Sequence, residues 1–156
     1  MKKNNIEIIP FSDDFRDHIK VLNYEWLEKH FRVEEGDRIS LSDPRKEIID
    51  KGGFIFYAKL NGEIVGTASL LKKSESVFEL CKMAVSGKAQ GHGIGTALLE
   101  HCIKFAEELC IEKLVLYSNT RLQSAIHLYK KYGFQEIPLE SGLYERADIK
   151  MEKILN

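Results

Sequence analysis

A glycine-rich turn that leads directly into a helix constrains this chain more than any other feature. Residues 90–96 read QGHGIGT, and an apolar stripe at helical spacing follows: Ile94, Leu98, Cys102, Phe105 and Leu109. Glycine loses the most backbone freedom on folding, so three glycines at a helix start need a physical reason. Because a helix N-terminus has unpaired N–H groups and a partial positive charge, it suits an anion. The sequence therefore predicts an anion-binding turn, although a glycine-rich turn without a ligand fits the same residues.

Two familiar phosphate-binding patterns do not fit this turn. A P-loop requires lysine and then serine or threonine after its last glycine, whereas Thr96 and Ala97 follow Gly95. A dinucleotide-binding fingerprint, G-x-G-x-x-G, fails at Thr96, and it opens a βαβ unit rather than following a meander. Neither the P-loop nor the dinucleotide-binding fingerprint therefore describes this turn.

The hydrophobic periods along the chain predict a mixed α/β fold. Two strong signals are the Asn61-Gly62 hairpin turn and Gly133 at a helix end. Strands are predicted at 6–10, at 54–73 (a hairpin), at 76–85, at 113–118, at 134–138 and at 145–154, with a loop at 139–143. Helices are predicted at 12–31, from Ser42 or Asp43 to Gly52, at 93–110 and at 122–133. The order β-α-α-β-β-β-α-β-α-β-β indicates one domain over residues 1–156, with helices on both faces of a mixed sheet.

Composition narrows the class of protein. The chain has 156 residues, 44% apolar and 30% charged, and its formal net charge of -1 gives no reason to expect nucleic acid or a membrane as a partner. Its three cysteines form neither pairs nor a zinc spacing, and no metal is expected. Because no apolar run has the length of a signal peptide or a membrane span, we expect a cytoplasmic protein.

Two segments resemble the GCN5-related N-acetyltransferase (GNAT) superfamily. Residues 83–108 (MAVSGKAQGHGIGTALLEHCIKFAEE) contain its cofactor motif [QR]-x-x-G-x-[GA], as Gln90, Gly93 and Gly95. Residues 125–134 (AIHLYKKYGF) resemble a later segment of the same family, in which a helix carries a tyrosine and ends before Gly-Phe. The order of elements matches from residue 6 to the C-terminus, so the resemblance covers nearly the whole chain.

The resemblance implies that acetyl-CoA is the cofactor. Its pyrophosphate would bind the N–H groups of the turn, and its pantetheine arm would lie between diverging strands 76–85 and 113–118. His92 either contacts phosphate or faces solvent. The family often has an asparagine where this chain has Leu122, and Asn119 is the candidate to replace it. The implied cofactor-binding residues are Met83, Val85, Gln90, Gly91, His92, Gly93, Ile94, Gly95, Thr96 and Asn119.

The resemblance also implies two catalytic residues. Tyr129 matches the tyrosine that protonates the departing thiolate, although a core tyrosine on an amphipathic helix fits the same position. Glu79 lies six residues before Val85, where several family members have a general base. Either Glu79 is buried, which would raise the pKa of a carboxylic acid, or it lies on an exposed strand face and water or another group is the base.

The resemblance also implies an acceptor site lined by the first helices, the central strands and the final hairpin. There we expect Tyr24, Trp26, Tyr144 and Arg146 to contact the acceptor. Tyr144, Arg146 and Asp148 alternate, so they would share one face of a strand. Arg146 would either bind a carboxylate of the acceptor or pair with Asp148 or Glu145.

The expected reaction is acetyl transfer to the primary amine of a small molecule. The alternatives are a protein lysine or N-terminal acetyltransferase and an acyl-CoA-binding module without turnover. A homodimer through edge strands of the C-terminal hairpin is a further expectation.

Overall fold

The computed structural model describes residues 5–140 and 144–155. Within these residues, seven strands and four α-helices follow one another. The strands are β1 (Ile6–Pro10), β2 (Phe54–Leu60), β3 (Glu63–Lys72), β4 (Val77–Val85), β5 (Lys113–Ser118), β6 (Gln135–Ile137) and β7 (Ile149–Ile154). The helices are α1 (Arg16–His30), α2 (Glu35–Ser42), α3 (Ile94–Glu108) and α4 (Gln123–Lys131). Short 3-10 turns cover Asp13–Phe15 and Gly87–Ala89, and one π-helical turn covers Arg45–Ile49.

All seven strands form one mixed sheet in the order β1-β2-β3-β4-β5-β7-β6. Only β4 and β5 are parallel, and they pair solely between Val77–Glu79 and Lys113–Val115. Beyond Glu79 the two strands make no further ladder contacts. The predicted divergence of these strands is therefore confirmed, and it opens a gap in the middle of the sheet.

Helices cover both faces of the sheet, as the alternation of side chains along β2 illustrates. Phe56 and Ala58 belong to the larger core cluster, which contains Ile94, Leu98 and Cys102 of α3. Ile55 and Tyr57 point to the other face, where they pack with Ile19 of α1. Successive strand residues point to opposite faces, so β2 contributes to both cores. The predicted mixed sheet with helices on both faces is confirmed.

The second predicted helix is present but shorter than expected, as the π-helical turn Arg45–Ile49, and Asp43 caps it by accepting from the N–H of Lys46 at 3.2 Å. The sequence did not predict α2, which spans Glu35–Ser42 just before it. The reason is an unusual start: the side chain of Glu34 accepts from the N–H of Asp37, and the Asp37 carboxylate accepts from the N–H of Glu34. This reciprocal capping box is built from two acidic residues instead of the usual Ser or Thr with Glu.

The last predicted strand is too long. Residues 144–148 form a turn, and β7 begins at Ile149. Tyr144, Arg146 and Asp148 therefore do not alternate along one strand face, and this prediction was wrong. Residues 141–143 of the predicted loop at 139–143 lie outside the described residues. β6 forms one edge of the sheet, and the homodimer stays a prediction.

A β-bulge interrupts β4 next to the gap. Thr67 pairs with Ala84 and Ser69 pairs with Cys81, so β4 has one more residue than β3 over this stretch. Lys82, within the bulge, has φ of 53°, a left-handed conformation that non-glycine residues rarely adopt. The bulge redirects the Lys82 side chain from the regular alternation of the strand.

Candidate active site

A cavity of about 340 Å³ occupies the gap between the diverging ends of β4 and β5. The glycine turn at 90–96 and α4 line one part of it. Residues of α1, α2 and the segment 144–147 line the other part, and β4 runs past both. One continuous space therefore connects the predicted anion site with the predicted acceptor site.

The glycine turn has the conformation and the free donors that an anion site needs. Gly91 and Gly93 have φ of 82° and 77°, and Gly93 is the N-cap of α3. A Cβ atom at Gly91, Gly93 or Gly95 would meet nothing within 4 Å, so open space lies beside the turn. Among residues 5–140 and 144–155, no hydrogen bond uses the backbone N–H of Gly91, Gly95 or Thr96. Gln90 supports the turn, because its Nε2 donates to the carbonyl oxygen of Val85 at 3.2 Å.

Glu79 lies at the point where β4 and β5 separate. It is the last β4 residue paired with β5, and its side chain is 1% exposed. Its Oε2 accepts a 2.9 Å hydrogen bond from the hydroxyl of Tyr144. Its Oε1 is buried and accepts no hydrogen bond from any described group, although Nζ of Lys73 lies 3.5 Å away. A buried carboxylate oxygen without a hydrogen bond is costly, and the nearby ammonium of Lys73 offsets part of this cost.

Tyr144 is held in its protonated form. Burial raises the pKa of its hydroxyl, and the neighbouring Cys81 thiol and Glu79 carboxylate raise this pKa further. The phenol therefore acts as a hydrogen-bond donor to Glu79 at neutral pH.

Tyr129 projects from α4 into the other part of the cavity. Its ring packs edge-on against Phe134, with the ring centroids 5.9 Å apart. Burial raises the pKa of Tyr129 to about 12, so its hydroxyl keeps its proton at neutral pH. No hydrogen bond of this hydroxyl occurs among the residues the structure describes, which leaves the proton available for a ligand.

Arg146 is bound by two carboxylates of the capping box of α2. Its Nη1 and Nη2 donate to the two oxygens of Asp37 at 2.8 and 3.0 Å, and Nη1 also donates to Glu34 at 3.0 Å. Burial acts to raise the pKa of Asp37, but hydrogen bonds from Arg146 and the Glu34 N–H lower it overall. The predicted pairing of Arg146 with Asp148 or Glu145 was wrong. The two residues that bind it belong to a helix the sequence did not predict.

Lys82, in the bulge of β4, lies close to the carboxylate of Asp37. Its side chain is 7% exposed, and its Nζ lies 3.8 Å from Oδ1 of Asp37, which is 2% exposed. Asn23 of α1 fixes the bulge, because its Nδ2 donates to the carbonyl oxygens of Ile19 and Lys82 at 2.9 and 3.3 Å. The ammonium of Lys82, the carboxylate of Asp37 and the guanidinium of Arg146 therefore lie together at the acceptor end of the cavity.

Most of the predicted site residues lie around this one cavity. Its lining includes Trp26, Glu79, Met83, Val85, Gln90, Gly91, Gly93, Ile94, Gly95, Thr96, Asn119, Tyr129, Tyr144 and Arg146. Tyr24 does not line this cavity. It lines a separate shallow groove on α1, where Nζ of Lys20 lies 5.5 Å from its ring centroid. His92 is exposed and lies outside the lining.

The side chain of Asn119 is already engaged. Its Nδ2 donates to the carbonyl oxygen of Arg146 at 2.8 Å, and its Oδ1 accepts from the N–H of Arg121 at 2.9 Å. These bonds tie the end of β5 to the segment 144–147. A contact between the Asn119 side chain and a pantetheine arm would have to compete with both.

The sequence did not predict several residues in and around the cavity. Asp37 and its partner Glu34 form a capping box of two acidic residues, which departs from the usual Ser or Thr with Glu, so the sequence carried little signal for them. Lys82 carries no such signal, because a bulge depends on pairing with β3 and leaves no pattern in the sequence. Phe31 and Asn23 also line the cavity.

The described residues contain neither a metal-binding cluster nor a membrane-spanning helix. Within 5–140 and 144–155, no group of three or more His, Cys, Asp or Glu side chains is arranged to hold a metal ion. Over those same ranges, no helix has both the length and the apolar character to cross a membrane.

Comparisons with known proteins agree with this geometry. The family model described as Acetyltransferase (GNAT) family matches residues 15–134. The N-acetyltransferase family 8 member 2 of Rattus norvegicus is 28% identical over 116 residues, covering 71% of this chain and 51% of that protein. The [ribosomal protein bS18]-alanine N-acetyltransferase of Escherichia coli (strain K12) is 26% identical over 134 residues, covering 85% of this chain and 79% of that protein.

The fold is also found among solved structures. An acetyltransferase of the GNAT family from Staphylococcus aureus Mu50 superposes with a TM-score of 0.85 at 22% identity, over 97% of this chain and 100% of that one. The chain spans about half the length of the rat relative and of several other curated relatives. Because the family model covers most of the chain and the sheet, the gap and the glycine turn agree with it, the chain belongs to the acetyltransferase (GNAT) family.

Proposed function

We propose that this protein is an N-acetyltransferase that transfers the acetyl group of acetyl-CoA to a primary amine of a small molecule. The observation that carries the proposal is the single cavity that joins the open glycine turn to the buried carboxylate of Glu79. One end offers donors for an anion and the other offers an acceptor for a proton. A direct transfer between two bound substrates requires both in one space.

The residues present fit acetyl-CoA. The free N–H groups of Gly91, Gly95 and Thr96 and the N-terminus of α3 suit its pyrophosphate, and the missing Cβ atoms leave the space to approach them. Backbone groups of Met83 and Val85 line the gap where an extended arm would pass, although Gln90 already occupies the carbonyl oxygen of Val85. When bound, acetyl-CoA supplies an activated acetyl thioester.

Glu79 is the proposed general base. An alkylamine with a pKa of about 10 is protonated at neutral pH and must lose a proton before it can attack. The Oε1 atom, buried and without a hydrogen bond, is positioned to accept that proton directly or through one water. Tyr144 holds the other oxygen of the carboxylate, and so fixes the direction in which Oε1 points.

Tyr129 is the proposed general acid. Because burial raises the pKa of its hydroxyl to about 12, the group is protonated at neutral pH and can donate to a thiolate leaving group. Its position on α4, near the turn that would hold the pyrophosphate, supports this assignment over a purely structural role.

The contacts that cover the acceptor end support a small acceptor. Arg146 binds Glu34 and Asp37, and Arg32 binds Glu145 through another ion pair. These bonds draw the segment 144–147 toward the connection between α1 and α2. This arrangement favours a compact amine over a peptide chain that would have to pass the same segment.

N-terminal acetylation of a protein is the second candidate. It is favoured by the similarity to the ribosomal protein alanine N-acetyltransferase of E. coli, which extends over 85% of this chain. A terminal amine is itself small, and only the residues that follow it would lie outside the cavity.

The test is release of free thiol from acetyl-CoA with a panel of acceptors. We expect turnover with small primary amines and little with peptides that offer either a lysine or a free N-terminus. Turnover with peptides alone would favour the second candidate. Binding of acetyl-CoA without thiol release for any amine would indicate a binding module, and absence of binding by calorimetry would contradict the proposal itself.

A further inference from the structure

Lys82 is the least satisfied charged group in the cavity. Its side chain is only 7% exposed, yet its nearest carboxylate oxygen, Oδ1 of Asp37, is 3.8 Å from Nζ. That distance is too long for a hydrogen bond. Within residues 5–140 and 144–155, Nζ of Lys82 makes no hydrogen bond to any protein group. A buried ammonium with three donors gains substantially from an oxygen partner.

The neighbouring carboxylates have other partners. Both oxygens of Asp37 accept from Arg146, and Oδ2 also accepts from the N–H of Glu34 at 2.9 Å. The oxygens of Glu34 accept from Arg146 at 3.0 Å and from the N–H of Glu145 at 3.2 Å. Arg146, which would be the more familiar ligand for a carboxylate, therefore has its guanidinium already bound. Of the two basic residues that line this end of the cavity in the described structure, Lys82 is therefore the one whose N–H groups make no hydrogen bond.

Lys82 and Glu79 lie three positions apart on β4, and both line the cavity. Neither Oε1 of Glu79 nor Nζ of Lys82 has a hydrogen bond, and each has only a longer ion pair, at 3.5 Å with Lys73 and at 3.8 Å with Asp37. A molecule with both an amine and an anionic oxygen would satisfy both groups at once. An amine without the anionic group would satisfy only Glu79.

We infer that the acceptor is an amino-carboxylate, whose amine binds at Glu79 and whose carboxylate binds at Nζ of Lys82. Lys82 is then a specificity-determining residue rather than a catalytic one. The inference rests on the proposed acetyl transfer and names its substrate class. The strained conformation of Lys82, with φ of 53°, is consistent with a side chain that the bulge directs to one place.

The test compares matched acceptors that differ only in the anionic group. A panel of free amino acids is assayed beside the carboxamide of each, with release of thiol from acetyl-CoA as the readout. For the preferred side chain, we expect kcat/KM to be at least tenfold higher for the acid than for its amide. Equal values, or a preference for amides throughout the panel, would overturn the inference.

Variants of Lys82 then link the preference to this side chain. Lys82→Met keeps the length of the stem and removes the charge, and it should reduce the acid-to-amide ratio at least tenfold. Lys82→Arg keeps the charge and should retain a preference for the acid. Lys51→Met is the matched control, because Lys51 is exposed and pairs only with Glu47 on the surface. A Met variant that keeps the full preference would assign the carboxylate to another group.

The outcomes also separate this inference from the proposed function. If amines without a carboxylate are acetylated and acids are not, the transferase assignment stands and the role of Lys82 is wrong. If no amine releases thiol, the transferase assignment fails. If Lys82→Met does not fold, the acid-to-amide ratios of the unmodified protein and of Lys82→Arg still decide the substrate class.

Discussion

The hydroxyl of Tyr144 donates a 2.9 Å hydrogen bond to Oε2 of Glu79, a residue 65 positions away along the chain. The bond joins the segment before β7 to the point where β4 leaves β5. It occupies one oxygen of a buried carboxylate and leaves Oε1 without a hydrogen bond. The hydrogen bond therefore fixes the orientation of the Glu79 carboxylate, and the Tyr144 phenol that donates it stays protonated at neutral pH because burial raises its pKa.

Replacing Glu79 by glutamine should lower kcat by about 100-fold at neutral pH, the usual size of a lost general base. The defect should shrink above about pH 9, because a growing fraction of the acceptor amine is then already unprotonated. The measurement is the pH dependence of thiol release. Glu75→Gln is the control, since Glu75 is 92% exposed and pairs with Lys72 on the surface. A defect independent of pH would argue against proton removal by Glu79.

Tyr144→Phe removes the hydrogen bond to Glu79 while keeping the ring. We expect kcat to fall by about tenfold, because Oε2 would remain buried without a donor and the carboxylate would lose its orientation. Affinity for CoA, measured by calorimetry, should change by less than about twofold. An unaltered kcat would show that Glu79 needs no support from Tyr144.

The order of strands and helices along the chain could be read from local patterns, but the contacts of Arg146 could not. The hairpin at Asn61-Gly62 and the helix ends follow from single residues whose preferences act over a few positions. Arg146 instead binds Asp37, 109 positions away, and the alternation of Tyr144 with Arg146 suggested a strand where a turn exists. A local pattern contains no information about which distant carboxylate will meet an arginine.

The position of the glycine turn at a helix start was predictable because its residues are contiguous in the sequence, whereas Glu79 was chosen through the family resemblance and its role stays a prediction. The bulge at Lys82 could not be predicted, because an extra residue in β4 becomes visible only against the register of β3. The start of α2 was missed for a different reason. Gly36 lies in its first turn, and Glu34 is an uncommon N-cap residue.

Tyr129→Phe should lower kcat at least tenfold and leave the affinity for CoA nearly unchanged, because only the proton donor is lost. Single-turnover kinetics and calorimetry measure the two quantities separately. Tyr132→Phe is the matched control, since Tyr132 lies three residues away, beyond the end of α4 and outside the lining of the cavity. Equal turnover of the protein with and without the Tyr129 hydroxyl would exclude its role as the acid.

The pair Gly93→Asp and Gly93→Asn separates charge from backbone strain at the turn. Gly93 has φ of 77° with open space beside it, and both replacements tolerate this conformation better than other side chains do. The aspartate should weaken binding of CoA at least tenfold more than the asparagine, because it places a negative charge beside the proposed pyrophosphate site. This difference should decrease with added salt, as expected for electrostatic repulsion. Equal affinities of the two variants in calorimetry would place the pyrophosphate elsewhere.

Asp37→Asn tests whether the acidic capping box supports the acceptor end of the cavity. Asp37 is 2% exposed and binds Arg146, with Lys82 close by, so neutralising it leaves two cations short of a buried partner. Breaking a buried pair in this way costs about 3–5 kcal/mol, which urea unfolding at pH 7 would measure. Glu35→Gln, in an exposed pair with Arg38, should cost less than about 1 kcal/mol.

The same variant predicts a pH dependence with a definite sign. Burial acts to raise the pKa of Asp37, but hydrogen bonds from Arg146 and the Glu34 N–H hold it below the ordinary value of 3.8. A carboxyl whose pKa is lower in the folded state stabilises the protein above its unfolded pKa and loses that contribution as the pH falls through its folded pKa. The difference in unfolding free energy between the unmodified protein and Asp37→Asn should therefore be constant from pH 7 to about 5 and shrink below about pH 4. A difference that persists undiminished to pH 2 would mean that the charge of Asp37 is not what stabilises this end of the molecule.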